Sequence, residues 1–240
     1  MQPGDASFVL NETDVYREFA PPAYLRNSIA CLWMRRGDGD TVRILPDACS
    51  DIVWRSGFGA VVAGPDTGPA FSSTEAGQLI VGARFLPGAG GTALGVPLDE
   101  IRDERVPLAA LGLDPHGELS GDLEPRDAVA AVASVAARMA TMSSPDRAVQ
   151  AGAVRLLDPR QRVDRLAADL GLSERQLRRR CRAAVGYGPK TLQRVLRLRR
   201  FLQGDRADLG RAAFDAGYSD QAHLTRECRR LTGLSPTRLG

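Results

Sequence analysis

The chain has 240 residues, enough for roughly two domains of ordinary size. Its net charge of +3 hides an uneven split: residues 1–154 hold 12 Arg against 20 Asp plus Glu, net −8, whereas residues 155–240 hold 20 Arg plus Lys against 9 acids, net +11. With two distant histidines, His116 and His223, and four cysteines that never form a CxxC pair, clustered-ligand metal chemistry is excluded, and no metal site, cofactor or enzymatic activity is expected.

There is no signal-peptide-like leader and no apolar run near the ~20 residues that span a bilayer, so a cytoplasmic protein without a membrane partner is expected. From about Ile29 to Val96 the stretches IACLWMRR, TVRILPD, DIVWRSG, GAVVAGP and QLIVGARFLPG are short, rich in β-branched and aromatic residues, and punctuated by Gly, Pro and Asp. They predict a β-rich unit, a small barrel or a sandwich. Asp47 and Asp51 read as flanks of a turn in PDACSD. The glycines of PGAGGTALG lack a Gly-Lys-Ser/Thr ending, so that segment reads as a flexible loop and not a phosphate loop. An irregular acidic stretch between about Leu98 and Leu123 predicts the domain junction. PRDAVAAVASVAARMA and SPDRAVQAGAVRLL then read as two helices, the second with Pro in its first turn, connecting the domains or pairing between subunits. The expected organisation is an α+β two-domain chain: 1–123 β-rich, 124–154 a helical linker, and 155–240 all-α.

The last segment contains an internal repeat. LRRRCRAAVGYGP, starting at Leu177, returns as LTRECRRLTGLSP, starting at Leu224 and 47 positions on. The first copy predicts a short helix from Val163 to Leu170 with Ala167 at a close crossing and a turn at Gly171. A second helix follows, N-capped by Ser173, with Gln176 three residues on to complete a capping box. This is helix-turn-helix spacing. Leu177, Cys181, Ala184 and Val185 share one stripe, which leaves Arg175, Arg178, Arg179 and Arg182 together on the opposite face. In the second copy Ala213 and Gly217 repeat the crossing and the turn, and the next helix starts near Asp220. Leu224, Cys228 and Leu231 form its buried stripe, and Gln221, Ala222, Thr225, Arg226 and Arg229 its exposed ridge. PKTLQRVLRLRRFL reads as a helical spacer with Leu192, Val195, Leu196, Leu198 and Leu202 on one side. Only Lys190 is a lysine, so the positive charge is almost all guanidinium, the group suited to phosphate and guanine. One short helix contacts few base pairs, and a second, rigidly linked reader lengthens the site; the expected partner is double-stranded DNA, read in two successive major grooves.

Residues 155–240 resemble the double helix-turn-helix domain of AraC/XylS-type transcriptional regulators, most clearly in GYSDQAHLTRECRRLTGLSP. Leu224 and Cys228 replace the Phe usual in that pattern. The resemblance assigns base contacts to Arg175, Arg178 and Arg179 in the first copy and to Gln221, Ala222, Thr225 and Arg226 in the second. RILPDACSDIVW and GARFLPGAGGTALGVPL resemble, more faintly, the β-rich sensor half of such regulators, often a cupin-like barrel that binds a small effector or mediates dimerisation. The resemblance therefore implies a candidate effector, a candidate homodimer and the transcription machinery as partners. The candidate pocket comprises Trp33, Trp54 and Phe85 as walls with Arg43 and Arg84 as anchors for an anionic group. Two other readings stand beside a ligand-responsive DNA-binding regulator. One is a co-regulator working through protein contacts. The other is a cysteine alkyl-transfer repair regulator, which Cys31 and Cys49, standing alone, do not favour.

Overall fold

The structure, a computed structural model, describes residues 15–114, 116–119 and 123–239. Among the described residues of the N-terminal half are eight strands: β1 (Val15–Phe19), β2 (Ile29–Arg36), β3 (Thr41–Ile44), β4 (Ser50–Arg55), β5 (Gly59–Ala63), β6 (Ala70–Ser73), β7 (Leu79–Phe85) and β8 (Arg105–Pro107). Six form an antiparallel sheet in the order β1-β2-β7-β4-β5-β8, and β3 and β6 pair as a separate two-stranded ribbon. The five predicted strand segments correspond to β2, β3, β4, β5 and β7. The remaining three, β1, β6 and β8, are short strands held by their pairing partners.

Alternation across the sheet separates two environments. Ile52 and Trp54 on β4, Val62 on β5, and Val81, Ala83 and Phe85 on β7 are buried in the main core of this domain. That core is closed by α2 (Pro125–Thr141), which presents Ala128, Val132, Val135, Ala136, Met139 and Ala140 at helical spacing. The irregular stretch read as a junction belongs to the same domain. It lays β8 on the sheet edge and contributes Leu108 and Leu119 to the core.

The glycine-rich segment is not a flexible loop. Gly90–Ala93 forms a short helix, α1, which packs against a helix of the C-terminal domain. The two helices expected to form one linker go to different layers: α2 covers the sheet, while α3 (Arg147–Leu156) buries Val149, Ala153 and Leu156 in the C-terminal core. Asp146 caps α3 by accepting from Val149 N at 3.0 Å, so Pro145 precedes the helix instead of entering its first turn.

The C-terminal domain continues with α4 (Val163–Asp169), α5 (Glu174–Val185), α6 (Pro189–Gln203), α7 (Leu209–Ala216) and α8 (Gln221–Thr232). The turns between α4 and α5 and between α7 and α8 pass through Gly171 (φ +66°) and Gly217 (φ +88°), left-handed backbone that a side chain would strain. Leu166, Ala167, Leu177, Cys181, Ala213, Leu224, Cys228 and Leu231 all lie in one core. On α6 the buried stripe is Leu192, Val195, Leu196, Leu198 and Phe201, with Leu202 half-buried at its edge. Leu45 and Ala48, from the loop between β3 and β4, also enter this C-terminal core, and Ala48 takes a left-handed φ of 70° to do so.

Candidate nucleic-acid interface and sheet cavity

Each copy of the repeat starts its second helix with a side-chain cap. Ser173 and Gln176 form the full capping box at the head of α5: Gln176 N donates to Ser173 Oγ at 3.2 Å, and Ser173 N donates to Gln176 Oε1 at 2.8 Å. At the head of α8, Asp220 Oδ1 accepts from His223 N at 2.6 Å. That bond, with a smaller one from Ser219, holds the Asp220 carboxyl below its usual range. A negative cap here also favours the helix dipole.

With their ends fixed, both helices present polar ridges. Arg175, Arg178, Arg179 and Arg182 are exposed on α5, as are Gln221, Ala222, Arg226 and Arg229 on α8. Thr225 is half-buried and returns its hydroxyl to Gln221 O at 2.8 Å. Two neighbouring arginines off the ridges, Arg180 and Arg194, are committed within the protein. Arg180 forms a two-pronged pair with Asp146, at 2.7 and 2.8 Å, and Arg194 on α6 pairs with Glu227 on α8. Among the described residues no carboxylate lies in salt-bridge range of the ridge arginines, so their donors face solvent. Asp220 acts on Arg226 only from beyond salt-bridge range, so the two ridges carry net positive charge.

The sheet face opposite α2 opens onto a cavity of about 500 Å³. Its floor carries Trp33 and Arg35 from β2, Asp51, Val53 and Arg55 from β4, Val61 from β5, and Ile80 and Arg84 from β7. The β3–β6 ribbon forms the roof with Ile44 and Phe71. Gly82 is the place where the Trp33 indole lies across β7: a Cβ there would collide with the ring. The indole N–H donates to Asp51 Oδ2 at 3.2 Å, and Arg84 grips the same carboxylate from β7 while Asp47 approaches Arg84 Nε at 3.5 Å. Burial pushes the Asp51 carboxyl up, against the pull of Arg84. Burial also opposes the charge on Arg84, but Asp51 and Asp47 outweigh it and keep the guanidinium firmly protonated.

Of the five predicted pocket residues, the structure brings Trp33 and Arg84 together at the cavity. Trp54 and Phe85 point to the opposite face of the sheet, each with 0% exposure in the main core. Arg43 stacks on Phe71, 4.8 Å from the ring centroid, and turns its guanidinium to Thr232 O at the end of α8, 2.8 Å away. Asp47 does serve a turn, accepting from Cys49 N at 2.9 Å, whereas Asp51 lies within β4 and belongs to the cavity. The polar lining that sequence reasoning missed, Asp51 and Arg55, carried one signal: each is two positions from Val53, out of step with Ile52 and Trp54. All four cysteines are buried and their thiols are pushed up by burial, to about 12 for Cys31, Cys181 and Cys228, the reverse of an activated thiolate. Among the described residues no group of His, Cys, Asp or Glu is arranged to hold a metal, and no helix is long and apolar enough to cross a membrane.

A β-rich N-terminal domain joined to a tandem helix-turn-helix domain, with both second helices exposing basic ridges, defines the class of DNA-binding transcriptional regulators. Residues 166–239 match the family model described as "Helix-turn-helix domain", which is of the AraC type, and residues 17–107 match one described as "Domain of unknown function (DUF6597)". The chain thus carries a C-terminal AraC-type helix-turn-helix domain. Similar solved structures include ToxT from Vibrio cholerae O395, at 10% identity over 86% of this chain and 94% of that chain with a TM-score of 0.44. A P21 crystal form of ToxT from Vibrio cholerae aligns at 9% identity over 92% of this chain and 96% of that chain, with a TM-score of 0.45. ToxT from Vibrio cholerae O395 bound to (E)-4-(8-methylnaphthalen-1-yl)but-3-enoic acid aligns at 10% identity over 86% of this chain and 95% of that chain, again with a TM-score of 0.45. No curated protein matches the chain significantly.

Proposed function

We propose that this regulator reads a bipartite site on one side of double-stranded DNA, α5 and α8 entering successive major grooves. The observation that carries this reading is the pair of N-capped helices whose exposed ridges bear Arg175, Arg178, Arg179 and Arg182 in one copy and Gln221, Ala222, Thr225, Arg226 and Arg229 in the other. The 15-residue α6 separates them by roughly 22 Å of helix, a length suited to placing readers about one DNA turn apart. The ridges differ chemically, so the two half-sites should differ too. Arginines suit guanine, and Ala222 offers only an apolar contact such as a thymine methyl.

The sheet cavity is the candidate effector site. Its volume falls within the range of small-molecule pockets, and Trp33, Val53, Val61 and Phe71 offer it an apolar, partly aromatic body. Arg84 is already neutralised by Asp51 and Asp47, so an effector that reaches it pairs donor and acceptor groups with that network.

Selection of bound duplexes from a random pool with the full-length protein, at near-physiological salt, tests the DNA reading. A bipartite motif with its halves about one helical turn apart is the expected outcome. Recovery of no enriched sequence would overturn it.

A further inference from the structure

An α-helix ends with four carbonyls that lack a partner within the helix, and its C-terminus carries partial negative charge. In α5 and α8, part of that need is met from the N-terminal domain. Leu98 N donates to Ala183 O of α5 at 2.8 Å, and Arg102 Nη1 donates to Gly186 O, just past the end of α5, at 3.3 Å. Arg43 Nη1 donates to Thr232 O, the last residue of α8, at 2.8 Å.

The two helix ends meet the N-terminal domain in parallel ways. Each finishes in a left-handed glycine, Gly186 at φ +79° and Gly233 at φ +75°. Each glycine lies under a proline from the single loop that joins β5 to β6. A Cβ on Gly186 would strike Pro65, and a Cβ on Gly233 would stand 3.8 Å from Pro69 Cγ and 3.1 Å from Arg43 Nη1. Arg43 belongs to the ribbon strand paired with β6 and is steadied by stacking on Phe71, its register partner there. One short stretch of the N-terminal domain therefore touches the ends of both exposed-ridge helices.

We infer that Arg43 and Arg102 are positioning residues for DNA reading: as caps supplied from another domain, they fix the angle and separation of α5 and α8, and so the half-site spacing that the protein accepts. The inference rests on the bipartite reading proposed above. The spacer α6 links the two units through backbone, and the caps add a second brace from the N-terminal domain, Arg102 where α5 runs into α6 and Arg43 at the end of α8. A guanidinium held at a helix end is favourable by itself, so removing it frees the end without touching any ridge residue.

The test uses full-length protein and a duplex library in which the two selected half-motifs are separated by the preferred spacing and by one or two base pairs more or less. The wild type should strongly prefer one spacing. In the double variant Arg43→Ala/Arg102→Ala, that preference should fall by about three- to tenfold while binding to a duplex holding a single half-motif is unchanged. Arg43→Lys/Arg102→Lys, which keeps a cationic donor at each helix end, should restore most of the preference. Variants that retain the wild-type spacing preference, or that lose affinity equally at every spacing and for single half-motifs, would overturn the positioning role. A wild type that yields no bipartite motif would overturn the underlying DNA reading and this inference with it, so the two failures are distinct.

Discussion

Arg84 and Asp51 are register partners on adjacent strands and form a two-pronged ion pair, Nε to Oδ1 and Nη2 to Oδ2, each at 3.2 Å. The pair is nearly buried, with side-chain exposures of 16% and 12%. Truncation of one partner leaves a charge in a poorly solvated place, so Arg84→Met should cost about 3–5 kcal/mol. The pH dependence follows from Asp51. Burial raises its carboxyl in the folded protein, and loss of Arg84 raises it further. An acid whose folded value lies above its unfolded value, about 4, takes up a proton on folding, so its stability contribution is intact below that value and is lost as pH rises through the folded one. The gap in Tm between wild type and Arg84→Met should thus narrow as pH is lowered from 7 towards 5. A gap independent of pH would show that Asp51 is not the group left exposed to the loss.

Ridge and framework arginines should behave differently in DNA binding. Arg179→Ala and Arg226→Ala should each weaken binding to the selected site by about 1–3 kcal/mol and broaden the base preference at one position. Titrations on the selected duplex and on single-base variants of it measure both effects. A uniform loss on all duplexes would move these side chains to phosphate contacts, and no loss would remove them from the interface.

The caps are tested by stability alone. Ser173→Ala removes the Oγ that accepts from Gln176 N, one of the two bonds of the capping box, and should cost about 1 kcal/mol, with faster amide exchange in the first turn of α5. Asp220→Ala should lower Tm at neutral pH. Because the Asp220 carboxyl is held below its usual range by His223 N, its stabilisation is present above that range and fades as pH falls through the folded value. Wild type and Asp220→Ala should converge in Tm under acid, and a difference that persists there would point to another role for the side chain.

Gly91 is where α1 meets α5: a Cβ at this position would run into Ala183 O. Neither side of the contact can easily retreat, because both are backbone. Gly91→Val should destabilise the protein by about 1–3 kcal/mol. It should also speed amide exchange at Leu98, whose N–H is bonded to the same carbonyl. Unchanged exchange would mean that α1 approaches α5 less closely than its backbone indicates.

The helical half could be read from the sequence because its signals are local. Capping residues, left-handed glycines and a repeated stripe of Leu, Cys and Ala mark each element within a dozen residues, and all of these are found where the spacing puts them. Phe201 escaped because Leu202 beside it satisfied the same stripe. The β half depends on partners distant in sequence. The three-residue strand β8 is a strand only because β5 lies beside it, and Ala70–Ser73 only because β3 does. The cavity was half legible: Trp33 and Arg84 were identified, but Trp54 and Phe85 are equally aromatic and lie on the other face. Hydrophobicity alone does not separate the two sides when α2 covers one and the ribbon roofs the other. The role of Arg43 depends on a contact 189 positions away, to which no local pattern points.

Leu45 and Ala48 lie in the core of the other half, Ala48 with a left-handed backbone. That arrangement limits how freely this architecture can be recombined. A chimera that joins these DNA-reading helices to an unrelated sensor would inherit a dent shaped for a foreign loop, and a sensor moved elsewhere would carry an apolar finger with nothing to grip. Exchange between such proteins should succeed when the 45–48 finger travels with the helices it plugs, and the compatible seam for grafting therefore runs around that loop and not through the nearest stretch of linker.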